Sequence, residues 1–397
     1  MLTFPDGFLW GAATAAHQVE GNNVNSDWWV KEHTPGTPIV EPSGDAMDSY
    51  HRYREDISLL AEAGLNSYRF SVEWARIEPE RGHVSRAMLD HYRRMIDTCL
   101  EAGLEPVVTL MHFTVPRWMH DAGFWRNPDA PELFARYTEA VLPILDGVRH
   151  VCTINEPNIA AMLAGGEKAE NLVAHGLPDP DLEVAEALLA SHRAAREVLS
   201  SASDVRSGWT IATQDFMATG EPGAEEKLRD YGYPRDDWYL EKSAGDDFVG
   251  VQAYTRTFIG PEGPLPVADD VETTLTGWEY FPRAAADGVR SAWEKSGHVP
   301  VLVTENGIAT ADDDRRIAYT QESLRHLHDT IADGVDLRGY LHWSALDNYE
   351  WASGFRPTFG LIAVDRESFR RSPKPSLAWL GAVARRNGLD DGERSAE

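Results

Sequence analysis

Val299-Pro300-Val301-Leu302-Val303-Thr304-Glu305-Asn306-Gly307 is a short apolar run that stops on a carboxylate and a glycine. An apolar run this brief, bounded by turn-forming residues, has the length of a buried strand rather than a helix. Thr153-Ile154-Asn155-Glu156-Pro157 closes another such run about 150 positions upstream. Strand-like runs fall in eight places: residues 8–13, 66–72, 106–111, 150–155, 208–213, 247–252, 300–304 and 337–343. Between them, segments 48–63, 86–102, 131–145, 182–200, 278–295 and 315–332, with a terminal 376–386, carry apolar residues at helical spacing. Ile57, Leu60, Ala61 and Leu65 illustrate the stripe. Strands alternating with helices indicate parallel βα units. Eight units predict an α/β fold, a single (β/α)8 TIM barrel with its active site at the C-terminal ends of the strands. A doubly wound open sheet would show a Gly-rich phosphate turn after its first strand, and Gly11-Ala12-Ala13-Thr14-Ala15-Ala16-His17-Gln18 is not one. The expected organisation is one domain over residues 1–388 and a polar, frayed tail over 389–397, with no internal repeat or linker.

Composition narrows the function. The chain has 397 residues, 42% of them hydrophobic. No apolar stretch approaches the roughly 20 residues that a spanning helix needs. Met1-Leu2-Thr3-Phe4-Pro5-Asp6-Gly7 has no basic region ahead of an apolar core, so no signal peptide is expected and the cytoplasm is the expected compartment. Cys99 and Cys152 form neither a disulfide framework nor a metal-ligand spacing and are expected as buried thiols. The net charge of −27 repels nucleic acid and anionic membranes and suits a neutral substrate.

Glu156 and Glu305, each at the end of a predicted strand, are the pair of carboxyl groups that cleavage of a glycosidic bond requires. One can attack the sugar while the other protonates the leaving oxygen, if their surroundings separate their pKa values. Glu305 is the expected nucleophile and Glu156 the acid/base. Arg69, in Tyr68-Arg69-Phe70-Ser71, can hold a neighbouring carboxylate ionised, or serve as a structural ion pair in the barrel mouth, or both. Asn155 can bond the sugar 2-hydroxyl. A neutral polyol is gripped by planar polar groups and aromatic faces. Gln18 and Glu20 after the first strand, His112 after the third, and Trp343, Glu350 and Trp351 after the eighth supply both.

These residues resemble a known family. Phe8-Leu9-Trp10-Gly11-Ala12-Ala13-Thr14-Ala15-Ala16-His17-Gln18-Val19-Glu20-Gly21, the two strand-end Glu segments and Trp343 through Trp351 are similar, in order, to motifs of glycoside hydrolase family 1, the β-glucosidases and related β-glycosidases. The matches run from about residue 4 to residue 380. The resemblance implies a retaining mechanism through a covalent glycosyl-enzyme, with no cofactor or metal. It also implies Gln18, His112, Asn155 and Glu350 on the glycone hydroxyls, Trp343 under the ring and Trp351 against it. Gln252 and Phe359 complete the substrate-binding set, and Tyr254 matches the tyrosine that bonds the nucleophile. A carboxylate at Glu350, and no Lys in Ala352-Ser353-Gly354-Phe355, favour an unphosphorylated glucoside, galactoside or fucoside.

The chain departs from that pattern in several places. Gln252 stands where the family usually has Asn, and its longer reach is expected to shift Tyr254 or the acid/base environment. Phe113 and Thr114 replace a usual Trp and Asp, which is expected to alter sugar preference or weaken glycone binding. The segments after Glu156 and Glu305 are short, so an open aglycone side and tolerance of bulky aglycones are expected. Competing readings are a transglycosidase that passes the sugar to an alcohol and a catalytically silent sugar-binding barrel.

Overall fold

The computed structural model describes residues 1–165 and 176–390. Among them, eight parallel strands close into a barrel: β1 Leu9–Ala13, β2 Ser67–Ser71, β3 Glu105–Met111, β4 His150–Asn155, β5 Arg206–Ala212, β6 Val249–Gln252, β7 Val301–Asn306 and β8 Leu337–Trp343. Neighbours in the barrel are neighbours in sequence, and β8 pairs with β1 to close it. The strands are buried along nearly their whole length, as parallel strands covered on both faces must be. Leu9, Val107, Cys152, Phe248, Leu302 and Leu341 form a separate cluster that fills the barrel interior. The larger core lies between the strands and the surrounding helices.

The helices start and stop where side chains satisfy their free backbone groups. Asp181 caps Leu182–Leu199 by accepting from Val184 N at 3.0 Å, and Asp312 caps Asp313–Ala332 through the N–H groups of Asp314 and Arg315. No helix among the described residues is long and apolar enough to cross a membrane. Both cysteines are free and buried, as expected.

Two expectations need correction, and two elements had no counterpart in the sequence reading. The helix expected over 278–295 is Ala284–Lys295. Phe281 precedes Pro282, a position disfavoured in helices, and this releases Trp278 into the loop after β6. The tail expected to fray from residue 389 does not do so there: Leu389 is 2% exposed and pairs with Leu2, while Gly388 pairs with Thr3. Asn387 ties the two termini together, donating to Phe4 O at 2.8 Å and accepting from the Trp10 indole at 2.9 Å. Residues 391–397 of that tail lie outside the described residues. Finally, Pro157–Gly165 is a helix, and a three-stranded sheet (Phe216–Ala218, Thr257–Gly260, Gly263–Pro264) stands beside the barrel mouth; neither was expected.

The strands that carry the two glutamates are locally irregular. On β4 the register runs Cys152 to Gly208, then Asn155 to Thr210, and on β7 it runs Val303 to Val251, then Glu305 to Gln252. Each strand therefore has one more residue than its partner over this step. Such a bulge re-aims the side chains that follow it. Close packing sets the spacing around them. A Cβ at Gly208 would lie 1.9 Å from the Phe248 carbonyl oxygen on the neighbouring chain segment. Gly208→Ala is therefore expected to cost about 1–3 kcal/mol, read as a lower unfolding midpoint; an unchanged midpoint would show that the β5–β6 spacing relaxes freely.

Candidate active site

Glu305 sits at the mouth of the barrel on β7, 4% exposed, and three donors converge on it. Arg69 Nη1 on β2 donates to Oε1 at 2.5 Å, Gln252 Nε2 on β6 donates to the same oxygen at 2.9 Å, and the Tyr254 hydroxyl donates to Oε2 at 2.6 Å. Arg69 is fully buried, and its other groups are spent on the Thr109 hydroxyl (3.0 Å) and on Asn155 Oδ1 (2.6 Å). Asn155 Oδ1 also accepts from Gln252 at 2.7 Å, so Asn155, Gln252, Arg69 and Glu305 form one connected network. Among the described residues the Asn155 Nδ2 donor has no protein partner although it is buried. A buried, unpaired amide of this kind keeps its hydrogen-bonding capacity unspent.

Glu156 follows β4 directly, with φ of +44°, a left-handed conformation that is rare and costly for a side-chain-bearing residue. Phe113 (φ +67°) and Trp351 (φ +52°) share this conformation and line the same cavity. No protein group among the described residues donates to the Glu156 carboxyl. Burial raises its pKa well above the usual range, the negative charge of Glu305 raises it further, and Arg69 only partly opposes this. Burial also leaves the Glu305 pKa raised, but by less than that of Glu156, because Arg69 and the Tyr254 hydroxyl pull it partway back. The two carboxyls thus differ in the way a proton-sharing pair requires: one is surrounded by donors and the other faces a neighbouring anion.

A cavity of ≈ 530 Å³ opens above them. Gln18, His112, Glu156, Tyr254, Glu305, Trp343, Glu350, Trp351 and Phe359 all line it. Gln18 is held in place by donating to Asn348 Oδ1 (2.9 Å) and Tyr349 O (2.8 Å), and its Oε1 is buried without a partner among the described residues. His112 Nδ1 is likewise unpartnered, and burial, helped by Arg69, holds the ring neutral with a pKa well below the usual histidine range. The Trp343 indole donates to Glu350 Oε1 at 3.3 Å. Burial pushes the Glu350 pKa up to about 8, so at neutral pH this group can donate as well as accept. The rings of Trp343 and Trp351 run nearly parallel to His112, at 20° and 14°.

Glu20 is not part of the cavity. It pairs with Arg76 at 2.8 Å and accepts from the Tyr92 hydroxyl at 3.1 Å, behind the first strand. With Gln252 in place Tyr254 bonds Glu305, and the Gln252 side chain delivers its own amide to the same carboxylate. Phe113 turns its ring edge toward Trp351 (5.3 Å between centroids), and Thr114 donates to Glu73 Oε2 at 2.8 Å rather than facing the cavity. Sequence reasoning missed His17, stacked on Trp351 at 5.6 Å and 5°, and Asn348, which holds Gln18. It also missed Trp28, Trp278, Lys31 and Arg356 in the cavity wall. The alternation of aromatic and polar residues near 343–351 was a usable signal for Asn348; Trp278 was hidden inside an expected helix.

The chain matches the sequence model of glycosyl hydrolase family 1 over residues 1–221 and 247–389. It is 37% identical to the thermostable beta-glucosidase B of Thermobispora bispora, over 99% of this chain and 93% of that one. The alignment spans 444 positions against this chain's 397 residues, so the relative carries segments that this chain lacks. The crystal structure of beta-glycosidase BGL167 superposes with a TM-score of 0.89 at 45% identity, covering 99% of this chain and 100% of that one. The beta-glucosidase from Thermotoga maritima in complex with deoxynojirimycin superposes with a TM-score of 0.88 at 31% identity, over 98% and 100%. With a family match along nearly the whole chain, full-length relatives and the same barrel, this protein belongs to glycosyl hydrolase family 1.

Proposed function

We propose that this chain is a retaining β-glycosidase that hydrolyses terminal, non-reducing β-D-glucosides, and β-D-galactosides and β-D-fucosides beside them, with Glu305 as nucleophile and Glu156 as acid/base. The observation that carries the reading is the unequal environment of the two carboxyls: among the described residues, three donors on Glu305 and none on Glu156. A carboxylate that accepts several hydrogen bonds keeps its charge, whereas one buried beside an anion keeps its proton. The family, and relatives named as beta-glucosidases, support the glucoside assignment. Complexes of the Thermotoga maritima enzyme with azafagomine and deoxynojirimycin support a sugar in the equivalent cavity.

The steps follow from those positions. Glu305 attacks the anomeric carbon while Glu156 gives its proton to the glycosidic oxygen; the carbon–oxygen bond breaks, the aglycone leaves as an alcohol, and a glycosyl ester forms on Glu305. Forming that ester removes the Glu305 charge, the second largest cause raising the Glu156 pKa. Glu156, now a carboxylate, takes a proton from water, whose oxygen attacks the anomeric carbon and expels Glu305. Arg69, Gln252 and Tyr254 stabilise the charge that returns. Asn155 Nδ2, Gln18 Oε1, His112 and Glu350 bind the glycone hydroxyls, Trp343, Trp351 and Phe359 wall the ring, and an alcohol in place of water gives transglycosylation.

Initial rates on 4-nitrophenyl β-glucoside, β-galactoside, β-fucoside and β-glucoside 6-phosphate test the substrate class. The first three are expected to turn over and the phosphate to be inert, although Lys31 and Arg356 line the cavity. Phosphoglucoside turnover above glucoside would overturn the assignment.

The acid limb of the pH–rate profile follows ionisation of Glu305 and the basic limb loss of the Glu156 proton. Tyr254→Phe removes a donor that lowers the Glu305 pKa, so the acid limb is expected to move to higher pH while the basic limb stays. A shift of the basic limb alone would reverse the two roles. Glu305→Gln should abolish hydrolysis, by at least about 10⁴-fold for the loss of an attacking group, and lower the Glu156 pKa because the neighbouring charge is gone. Difference infrared spectroscopy of the carboxyl band reads that shift, and an unmoved band would show that the two groups do not interact.

A further inference from the structure

A second cavity of ≈ 220 Å³ lies beside the catalytic one, and Leu177, Gln214 and Trp278 line both. The two spaces therefore meet along these three side chains. They meet close to the chemistry. The Trp278 ring lies 5.4 Å from the Tyr254 ring, whose hydroxyl is 2.6 Å from Glu305. One aromatic thickness separates the second cavity from the Tyr254 hydroxyl that bonds Glu305.

Its walls come from the three-stranded sheet beside the barrel mouth and from the segment that follows it. Phe216, Phe258, Leu265, Val267 and Val271 make it mainly apolar. Leu265 is 47% exposed and offers apolar surface at the rim of this cavity. The charges inside are already paired: Arg256 forks onto Glu279 at 2.7–3.1 Å and stacks over Phe258 and Phe281. At the junction, by contrast, hydrogen-bonding groups are unspent. Among the described residues neither the side-chain amide of Gln214 nor the Trp278 indole N–H has a protein partner, and both side chains are half-buried at the shared wall. The backbone of Leu177 is fixed there by Tyr231, which accepts from its N–H at 2.7 Å, and by Arg235, which donates to its carbonyl.

We infer that the second cavity is an aglycone annex: the apolar tail of a glucoside passes Trp278 and lodges against Phe216, Phe258, Leu265 and Val267, while Gln214 and the Trp278 N–H bond polar groups near the glycosidic oxygen. The inference rests on the glycosidase reading for the position of the glycone. Continuity with the catalytic cavity names the occupant, since a ligand held over Glu305 has this space as its extension. The annex volume is roughly that of seven water molecules in the liquid, room for an alkyl chain or a substituted ring but not for a further protein segment.

Alkyl β-D-glucosides of rising chain length, kept below their micelle concentrations, provide the test. In the unmodified enzyme kcat/KM is expected to rise up to about fourfold for each methylene that becomes buried, then to level off once the annex is full. Val267→Trp and, separately, Val271→Trp fill the annex without touching the catalytic cavity; both should keep 4-nitrophenyl β-glucoside turnover and lose the rise. Two results overturn the annex: a flat chain-length profile in the unmodified enzyme, or the same rise in both filled variants, which would assign the gain to the mouth of the main cavity. Octyl β-glucoside binding, followed by tryptophan fluorescence, separates the two readings. Tight binding weakened about tenfold or more by either substitution, with no turnover of any glucoside, would keep the annex and reject the glycosidase; binding unaffected by both substitutions would reject the annex whatever the turnover.

Discussion

The ion pair between Arg69 and Glu305 organises this active site. A guanidinium with no exposed surface is costly to bury and stays only if its hydrogens and charge are met. Three strands meet that demand for Arg69 on β2: β3 supplies Thr109, β4 Asn155 and β7 Glu305. Removing one partner of such a buried pair typically costs about 3–5 kcal/mol, so the geometry of the anion is tied to the stability of the barrel mouth. The same charge that holds Glu305 ionised reaches Glu156 only weakly, and Glu305 then acts on Glu156 as a nearby anion. One cation therefore separates two chemically identical side chains.

Backbone irregularity places those side chains. A regular parallel strand would continue its alternation to the last residue, but both glutamate strands carry an extra residue just before the carboxyl-bearing position. Glu156 then turns into a left-handed conformation. Bulge and turn together bring residues from the fourth and seventh strands over one cavity floor, and the packed interior cluster beneath them keeps the floor rigid. Strain of this kind persists where the surroundings over-determine it. Here the surroundings are the Asn155–Gln252–Arg69 network on one side and the helix Pro157–Gly165 on the other. Asn158 anchors that helix by donating to the carbonyls of Ala212 and Arg235 at 2.8 Å.

Much of this was legible in the chain. The eight strands were readable because parallel strands buried on both faces leave dense apolar runs, and β4 and β8 begin and end where the pattern says they do. Glu156 and Glu305 stood out as a pair: one carboxyl at a strand end is usually a cap or a solvated group, but two, in Asn155-Glu156-Pro157 and Thr304-Glu305-Asn306-Gly307, match what glycosidic cleavage requires. The start of the helix after β6 was not read, although Phe281-Pro282 marked it, because the apolar spacing continued backward through Trp278. Leu389 was lost in a polar tail because its partner, Leu2, lies almost a whole chain away. The placing of His17 and Trp28, and the acceptors that hold the Gln18 amide, depend on contacts between the segments that follow the first and last strands of the barrel, far apart in sequence.

The central claim is that environment makes Glu305 the group that bonds to the sugar. A 2-deoxy-2-fluoro β-glucoside with an activated leaving group forms the glycosyl ester quickly and hydrolyses it slowly, so peptide mass spectrometry after a brief exposure locates the bond. The account predicts one glycosyl adduct, on Glu305, in a stoichiometric share of the enzyme. An adduct on Glu156, or an enzyme that turns over unmodified glucosides yet never carries an adduct, would contradict it.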